Sequence, residues 1–501
     1  MRRLILPCLF LLALLLAAPA AQASTTKIIN TPSKYIAKTT LTPQDLDGGK
    51  LVTRVVVPDG YDPKKCSPVL YLLHGTGSEL HPAPTEWFVQ GDIEHADVPA
   101  IVVIPGGGPM WWIDQWSNTA RAPGWESWFF NEVMPAVSKR YNICPQRSAH
   151  AITGLSMGGY GALYLASQRP DYFGTAASFS GVISLHRPEW VGYDRFQQLW
   201  GPAYGFYALA HDPTVLVQNL RNTRVLIEAG DGTTIGSEPM DTPKKLEELL
   251  FTGMSEDFVA HARKAGVKVT YDKHAGIHTF PNWKLDLQRM VAWGPFKKQV
   301  ATHPRTWTLA TAAKQGVAWG YRWKLAQWPG AAVRFSMRGG TFRAEGAGRL
   351  TVVTPAGKTV KAALPFSLKG KSTKPRKLPK STKPLLSTDK TPPVKVAVSP
   401  TKVTGAQPLT VSFTTTSALP VAQEYELVIT YINGGCGQTS AARVRQPAVG
   451  KVVSATLSPP ADPAQPAWCK GTAYAAVLAV DRKSTGFVLG DILGYVPVTV
   501  S

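Results

Sequence analysis

Between about Thr40 and Val300, short unbroken apolar runs alternate with longer amphipathic stretches, and this rhythm limits the fold more than any other feature. The runs "SPVLYLLHG", "AIVVIPGGG", "SAHAITGLS", "TAASFSG" and "TRVLIEAGDG" each end in glycine or a turn. A strand covered on both faces reads as a continuous apolar run, without the alternation of a half-exposed one. Such strands interleaved with helix-length segments belong to a parallel sheet. Glu126–Arg140, Gly158–Gln168, Pro243–Ala265 and Trp283–Trp293 supply the helical patterns. The expectation is an α/β domain over 24–300, a mostly parallel sheet with helices on both faces.

At 501 residues the chain is too long for one ordinary domain. After about Pro304 the pattern changes to short strand-like runs broken by Gly and Pro-Ala-Gly-Lys turns, which predicts a small β-rich region over 301–366. Its tryptophans, Trp307, Trp319, Trp323 and Trp328, read first as filling of a small β core and second as a sugar-stacking face. Residues 367–393, rich in Lys, Pro, Ser and Thr, read as a semi-extended cationic linker. From 394 to 501, "LTVSFTTTS", "YELVITYI" and "AYAAVLAVDR" are strand patterns separated by turn residues, as in an immunoglobulin-like β-sandwich.

The N-terminus speaks to compartment. Arg2 and Arg3 precede an apolar run from Leu4 to Ala18, and Ala21-Gln22-Ala23 offers a small-x-small cleavage site. Residues 1–23 therefore read as a secretory signal peptide, and no later stretch is apolar and long enough to span a bilayer. The expected location is extracellular or at the cell envelope. Beyond Cys8, in the leader, the chain has Cys66, Cys144, Cys436 and Cys469. Four cysteines allow three pairings, and proximity favours Cys66 with Cys144 and Cys436 with Cys469. The net charge of +21 comes without any nucleic-acid motif, so an anionic envelope or polysaccharide surface is the expected partner, and nucleic acid is not.

The chemistry centres on "AITGLSMGGYGAL". A bare G-x-S-x-G arises by chance, but here it follows a strand pattern and opens a helix pattern, the context of a nucleophile elbow with Ser156 at its tip. The helix N-terminus directs its dipole and free amides toward a developing oxyanion. Upstream, "LYLLHGTGSE" is a strand ending in His-Gly, where an α/β-hydrolase places its second oxyanion donor. The backbone N–H groups of Thr76 and Met157 are assigned to that hole. His74 precedes the nucleophile and reads as structural or substrate-contacting, not as the base. In α/β-hydrolases the order is nucleophile, acid, histidine. "YDKHAGIHTFPNW" offers His278 as the base, with His274 in reserve, whereas His261 sits in a helical pattern and reads as a surface residue. For the acid, position after the penultimate strand favours Asp231; Glu247 and Glu248 lie in the helical "PKKLEELL", where a glutamate is usually solvated.

Taken as a set, "LYLLHG", "VVIPGGG", "DQW", "GWESWFFNEVMPAV", "GLSMGGYGAL", "SFSGVI", "NTRVLIEAGDG", "SEDFVAHARKAGVKVTYD" and "HTFPNW" resemble the secreted putative-esterase family of α/β-hydrolases. That family includes esterase D, feruloyl esterases and the mycobacterial mycolyltransferases. The resemblance runs over roughly Val52 to Phe296. It implies His278 as base, Thr76 and Met157 for the oxyanion hole, and Glu248, counted back from Phe258-Val259, as the acid ahead of Asp231. His74 and Gly77 stand where the mycolyltransferase branch carries an aspartate and an arginine contacting trehalose, and the His-Gly form resembles the esterase members.

The activity these readings imply is a secreted serine carboxylester hydrolase acting on an acylated sugar, a lipid or a plant-polymer ester, without metal or organic cofactor. The alternatives are a mycolyltransferase-like acyltransferase using a sugar or glycerol hydroxyl, and a non-catalytic envelope adhesion protein.

Overall fold

The computed structural model describes residues 25–31, 34–36, 46–47, 50–76, 97–106, 111–116, 124–187, 190, 196–201, 205–298, 300–327, 329, 331–370, 372–380, 385–387, 394–415, 424–431, 439–444, 450–459, 467–468, 470–480 and 491–501. The expected signal peptide, Gly77, Trp328, Cys436 and Cys469 lie outside the described residues. Among those residues no helix is long and apolar enough to cross a membrane.

One nine-stranded sheet holds the first half of the chain together. Its strands are β1 (Thr25–Thr31), β2 (Leu46–Asp47), β3 (Lys50–Val57), β4 (Val69–Leu73), β5 (Ile101–Pro105), β6 (His150–Gly154), β7 (Thr175–Phe179), β8 (Arg224–Gly230) and β9 (Val269–His274). They lie in the order β1-β3-β5-β4-β6-β7-β8-β9, with β2 paired to β3. The pairs β1–β3, β2–β3 and β3–β5 are antiparallel, and from β5 to β9 every neighbour is parallel. This mixed sheet with its helices is consistent with an α/β-hydrolase fold.

The unbroken apolar strands explain themselves in three dimensions. Val69, Tyr71 and Leu73 of β4 enter one core, Leu70 and Leu72 the core on the opposite face, and all five are buried. The period-two alternation of a strand thus feeds two cores at once. The helices are α1 (Trp125–Trp128), α2 (Met134–Arg140), α3 (Met157–Gln168), α4 (Phe196–Trp200), α5 (Phe206–Leu209), α6 (Thr242–Ala265) and α7 (Phe280–Trp293), with a π-helical turn, Phe129–Val133, between α1 and α2. Leu163 and Leu165 of α3 and Phe251, Met254 and Phe258 of α6 pack into the first core; Leu287 and Met290 of α7 pack into the second.

The helix α6 starts where its sequence dictates. The Asp241 side chain accepts the Lys244 N–H at 3.0 Å as an N-cap, and Pro243 occupies the first turn. Its buried stripe, Glu248, Phe251, Thr252, Ser255, Phe258 and Ala262, follows the three-and-four spacing of one helical face. A glutamate within that stripe is the anomaly that the site below explains.

The strands β10 (Trp307–Thr311), β11 (Gln315–Ala318), β12 (Tyr321–Leu325), β13 (Val333–Arg338), β14 (Thr341–Glu345), β15 (Arg349–Val353), β16 (Thr359–Ala363), β17 (Phe366–Lys369) and β18 (Arg376–Lys377) follow and form two further sheets, β10-β13-β14-β17-β18 and β11-β12-β15-β16. Trp307, Trp319 and Trp323 are buried in their shared core with Phe335, Phe342 and Phe366, so these three rings fill a core and present no sugar-stacking face. The cationic segment expected to begin as a linker at 367 instead continues the sheet. Phe366 and Leu368 of β17 (Phe366–Lys369) alternate into the core, and β18 pairs with β17. The region is docked on the α/β portion. The Asn219 side chain both donates to and accepts from the backbone of Ala310, at 2.9 Å each way, as a neighbouring strand would.

The last segment supplies β19 (Val394–Ser399), β20 (Lys402–Val403), β21 (Leu409–Thr415), β22 (Glu424–Tyr431), β23 (Thr439–Val444), β24 (Val452–Leu457), β25 (Gly471–Val480) and β26 (Asp491–Val500), which form a three-stranded sheet, β19-β21-β24, and a five-stranded one, β20-β26-β25-β22-β23. Alternate residues of these strands, among them Leu409, Val411 and Phe413, Leu427 and Ile429, and Ala473, Ala475 and Val477, share one core.

Candidate active site

In a parallel sheet the carboxyl ends of the strands share one edge, where the loops that follow them meet. Here that edge gathers His74 after β4, Ser156 after β6, Ser180 after β7 and the turn after β8. The loop between β9 and α7 brings His278 to the same place.

Ser156 sits between β6 and α3 with φ 51° and ψ −117°, a backbone conformation that a non-glycine residue rarely adopts. Two glycines make the turn possible. A Cβ on Gly154 would stand 2.6 Å from the Gly158 carbonyl carbon, and one on Gly158 would stand 2.4 Å from the Leu73 oxygen. The flanking glycines of G-L-S-M-G therefore allow the elbow to cross itself and lie against β4. Ser156 N–H is held by the Phe179 carbonyl at 2.9 Å.

A continuous chain of hydrogen bonds runs from this serine. Ser156 Oγ is 3.0 Å from His278 Nε2, and His278 Nδ1 is 2.9 Å from Glu248 Oε2. Nδ1 carries the proton it donates to the carboxylate, which leaves Nε2 as acceptor for the serine hydroxyl. All three residues are buried, Glu248 fully. The second carboxylate oxygen, Oε1, accepts from the Ser180 hydroxyl at 2.7 Å and from Gly230 N–H at 2.5 Å. Three donors on one buried carboxylate are the compensation that an interior charge requires. They account for a glutamate in the buried stripe of α6.

The imidazole is fixed by packing as well. Its ring lies edge-on to Phe251 and to Trp283, each with centroids 4.8 Å away, and His278 N–H donates to the Lys244 carbonyl at 3.1 Å. Glu247 approaches from the other side, its Oε1 3.7 Å from Nε2, while its other oxygen pairs with Lys244 at 2.8 Å.

Asp231 is not part of this chain. Its exposed carboxylate accepts from Thr233 N–H and Oγ–H, at 2.8 and 2.5 Å. What burial it has pushes its pKa up, but the Thr233 hydrogen bonds outweigh this and hold it below the usual carboxylate range. Asp231 closes a local turn with Thr233, and its own N–H donates to the His274 carbonyl at 2.7 Å. His274 is likewise elsewhere, its Nε2 2.8 Å from Asp286 Oδ1. Burial alone would lower the His274 pKa, and the Asp286 carboxylate beside it raises it on balance.

Gly75 lies against the elbow, since a Cβ there would meet Leu155 Cδ1 at 2.4 Å and Ser156 Cβ at 3.4 Å. Thr76 follows Gly75 directly in the chain, and Met157 is the first residue of α3. His74 itself is buried, with its ring 4.9 Å from that of Trp112 and Nδ1 2.8 Å from the Gly75 carbonyl. A disulfide joins Cys66 to Cys144. Sequence reasoning did not single out Ser180, Gly230, Phe251 or Trp283. Ser180 carried one available signal, its place directly after a strand at the edge where function collects.

Residues 47–293 match the family model described as "Putative esterase". The esterase Rv1288 of Mycobacterium tuberculosis is 27% identical over 255 residues, which cover 48% of this chain and 55% of that protein. The chain thus spans about half the length of that relative. A diacylglycerol acyltransferase/mycolyltransferase, Ag85A of Mycobacterium gordonae, is 29% identical over 252 residues, 45% of this chain and 71% of that one. Among solved structures, MPT51 (FbpC1) of Mycobacterium tuberculosis superposes with a TM-score of 0.42 at 21% identity, covering 56% of this chain and 98% of its own.

Proposed function

Since residues 47–293 match the putative-esterase family model, we propose that the chain is a serine carboxylester hydrolase in which Ser156, His278 and Glu248 form the catalytic triad. The observation that carries this reading is the unbroken hydrogen-bonded line from Ser156 Oγ through both imidazole nitrogens to a buried, triply bonded carboxylate.

The reaction proceeds in two halves. His278 Nε2 takes the Ser156 hydroxyl proton as Oγ attacks the ester carbonyl. Glu248 stabilises the imidazolium and keeps Nδ1 protonated, so that Nε2 always faces the serine. The Thr76 and Met157 amides receive the charge on the carbonyl oxygen; the loss of one such donor typically raises the barrier by about 3 kcal/mol. His278 then returns the proton to the leaving alcohol, and an acyl-Ser156 ester remains. Water, deprotonated by the same imidazole, releases the acid and restores the hydroxyl. The leader-like pattern of 1–23 and the cationic excess support a setting outside the cell, near an anionic envelope or polysaccharide.

The competing reading replaces water with a sugar or glycerol hydroxyl, and the similarity to an acyltransferase/mycolyltransferase supports it. His74, buried against Trp112, supports the hydrolase. The test is labelling of the full chain with a fluorophosphonate, followed by peptide mapping. An adduct on Ser156, and its loss in Ser156→Ala, is expected; full activity of Ser156→Ala on a p-nitrophenyl ester would refute the assignment. Free acid outpacing new ester in the presence of trehalose and glycerol is expected; the reverse would establish the transferase.

A further inference from the structure

On the far half of α6 from Glu248 lies a second cluster that the acyl chemistry does not use. It comprises His186, from the segment after β7, with Asp257 and His261 of α6; one ligand atom from each falls within 4.8 Å of the others. His186 Nδ1 is 2.7 Å from Asp212 Oδ2, and Asp212 is itself buried and fixed by His186 N–H at 3.0 Å and Thr214 N–H at 2.9 Å. Nδ1 is therefore the protonated nitrogen, and Nε2 is the basic one. That basic nitrogen faces another acceptor, Asp257 Oδ2, at 3.4 Å. The separation exceeds a normal N–H···O bond. It matches the edge, about 3.4 Å, of a tetrahedron of ligands each about 2.1 Å from a zinc ion. His261 Nδ1 lies 2.9 Å from the Asp257 carbonyl, one helical turn back, and 3.4 Å from Asp257 Oδ1, so this ring is seated against the same carboxylate.

From this geometry we propose that His186, Asp257 and His261 bind a divalent transition-metal ion of the zinc class, with a water or exchangeable ligand completing the tetrahedron. Two imidazoles and one carboxylate are a zinc donor set. The arrangement around it is that of a built site. Asp212 orients His186 as an outer carboxylate orients a ligating histidine, and Ser184 Oγ–H donates to Asp257 Oδ2 at 2.5 Å. The two imidazole rings stand at 73° with centroids 5.7 Å apart. Asp257 and His261 are 24% and 20% exposed, which gives an ion a route in, while His186 is buried. Bound there, the ion ties the segment after β7 to α6. Those same two elements supply Ser180 and Glu248, so the ion acts as a brace of the esterase site and takes no part in bond-breaking.

The test uses the full chain, stripped with a chelator and dialysed, then titrated with Zn(II) by calorimetry and with Co(II) by visible absorption. One Zn(II) per chain is expected, with a submicromolar Kd, a visible Co(II) band and a Tm raised by about 5 °C. His261→Gln, a part-exposed helix position, is expected to weaken Zn(II) binding at least about 100-fold and remove the Co(II) band while the protein stays folded. Asp257→Asn is expected to do the same. An absence of Zn(II) binding by the wild-type chain would overturn the proposal. Unchanged binding in both variants would also overturn it. Neither result bears on Ser156.

Discussion

Ser180 donates its hydroxyl to Glu248 Oε1 at 2.7 Å, so the residue that follows β7 holds the carboxylate bonded to His278 Nδ1. Ser180 stands at φ 47°, and its own N–H is anchored on the Glu228 carbonyl at 2.9 Å. A hydrogen bond to a charged group contributes about 1.5–3 kcal/mol. Ser180→Ala leaves Glu248 with the Gly230 amide and His278 as partners. We expect kcat on a p-nitrophenyl ester to fall about tenfold with KM little changed, and the urea midpoint to drop. Steady-state kinetics beside a denaturation curve checks both; wild-type kcat would show that Ser180 does not position the acid.

Glu248 and Asp231 separate cleanly by substitution. Glu248→Gln keeps the volume but removes the charge that stabilises the imidazolium and favours the wrong tautomer, and kcat/KM should fall by about 10⁴-fold. Asp231→Asn touches only a surface turn with Thr233 and should stay within about twofold of wild type. A collapse in the Asp231 variant would move the acid there.

Glu126 makes stability depend on pH. Burial, with the neighbouring Asp114 carboxylate adding to it, raises its pKa from 4.5 to about 8, and Tyr164 Oη–H donates to it at 2.7 Å. An acid whose folded pKa lies above its unfolded one binds more protons when folded. Its contribution is therefore whole below about pH 4.5 and is lost as pH rises through about 8. Glu126→Gln keeps an acceptor for Tyr164 and cannot ionise. The variant should match wild type near pH 5 and exceed it near pH 8.5, when urea unfolding free energies are compared at the two values. Equal slopes in both proteins would remove Glu126 as the source.

What the sequence disclosed and what it withheld follow the range of the forces involved. The elbow was legible because its glycines are needed within a few residues of Ser156, and the parallel sheet because its buried strands are apolar on both faces. Glu248 was ambiguous for a physical reason: helical periodicity places it on the buried stripe, yet a buried glutamate makes sense only once Ser180, Gly230 and His278 are known to converge on it. Those partners come from three separate strand ends, and only the sheet order aligns them. Similarly, β17 and β18 were hidden at the start of a lysine-rich stretch because Phe366 and Leu368 are the apolar side chains that β17 turns inward, while Lys369, Arg376 and Lys377 face solvent.

The backbone at Ser156 carries one more implication. No local preference holds a serine at φ 51°; the crossing of Gly158 over Leu73 and the bond to Phe179 impose it. The reactive hydroxyl is therefore a property of the assembled sheet and not of the pentapeptide around it. Under the proposed function, ester turnover would be a gauge of tertiary order in this chain, one that falls silent in a compact intermediate whose helices are still intact.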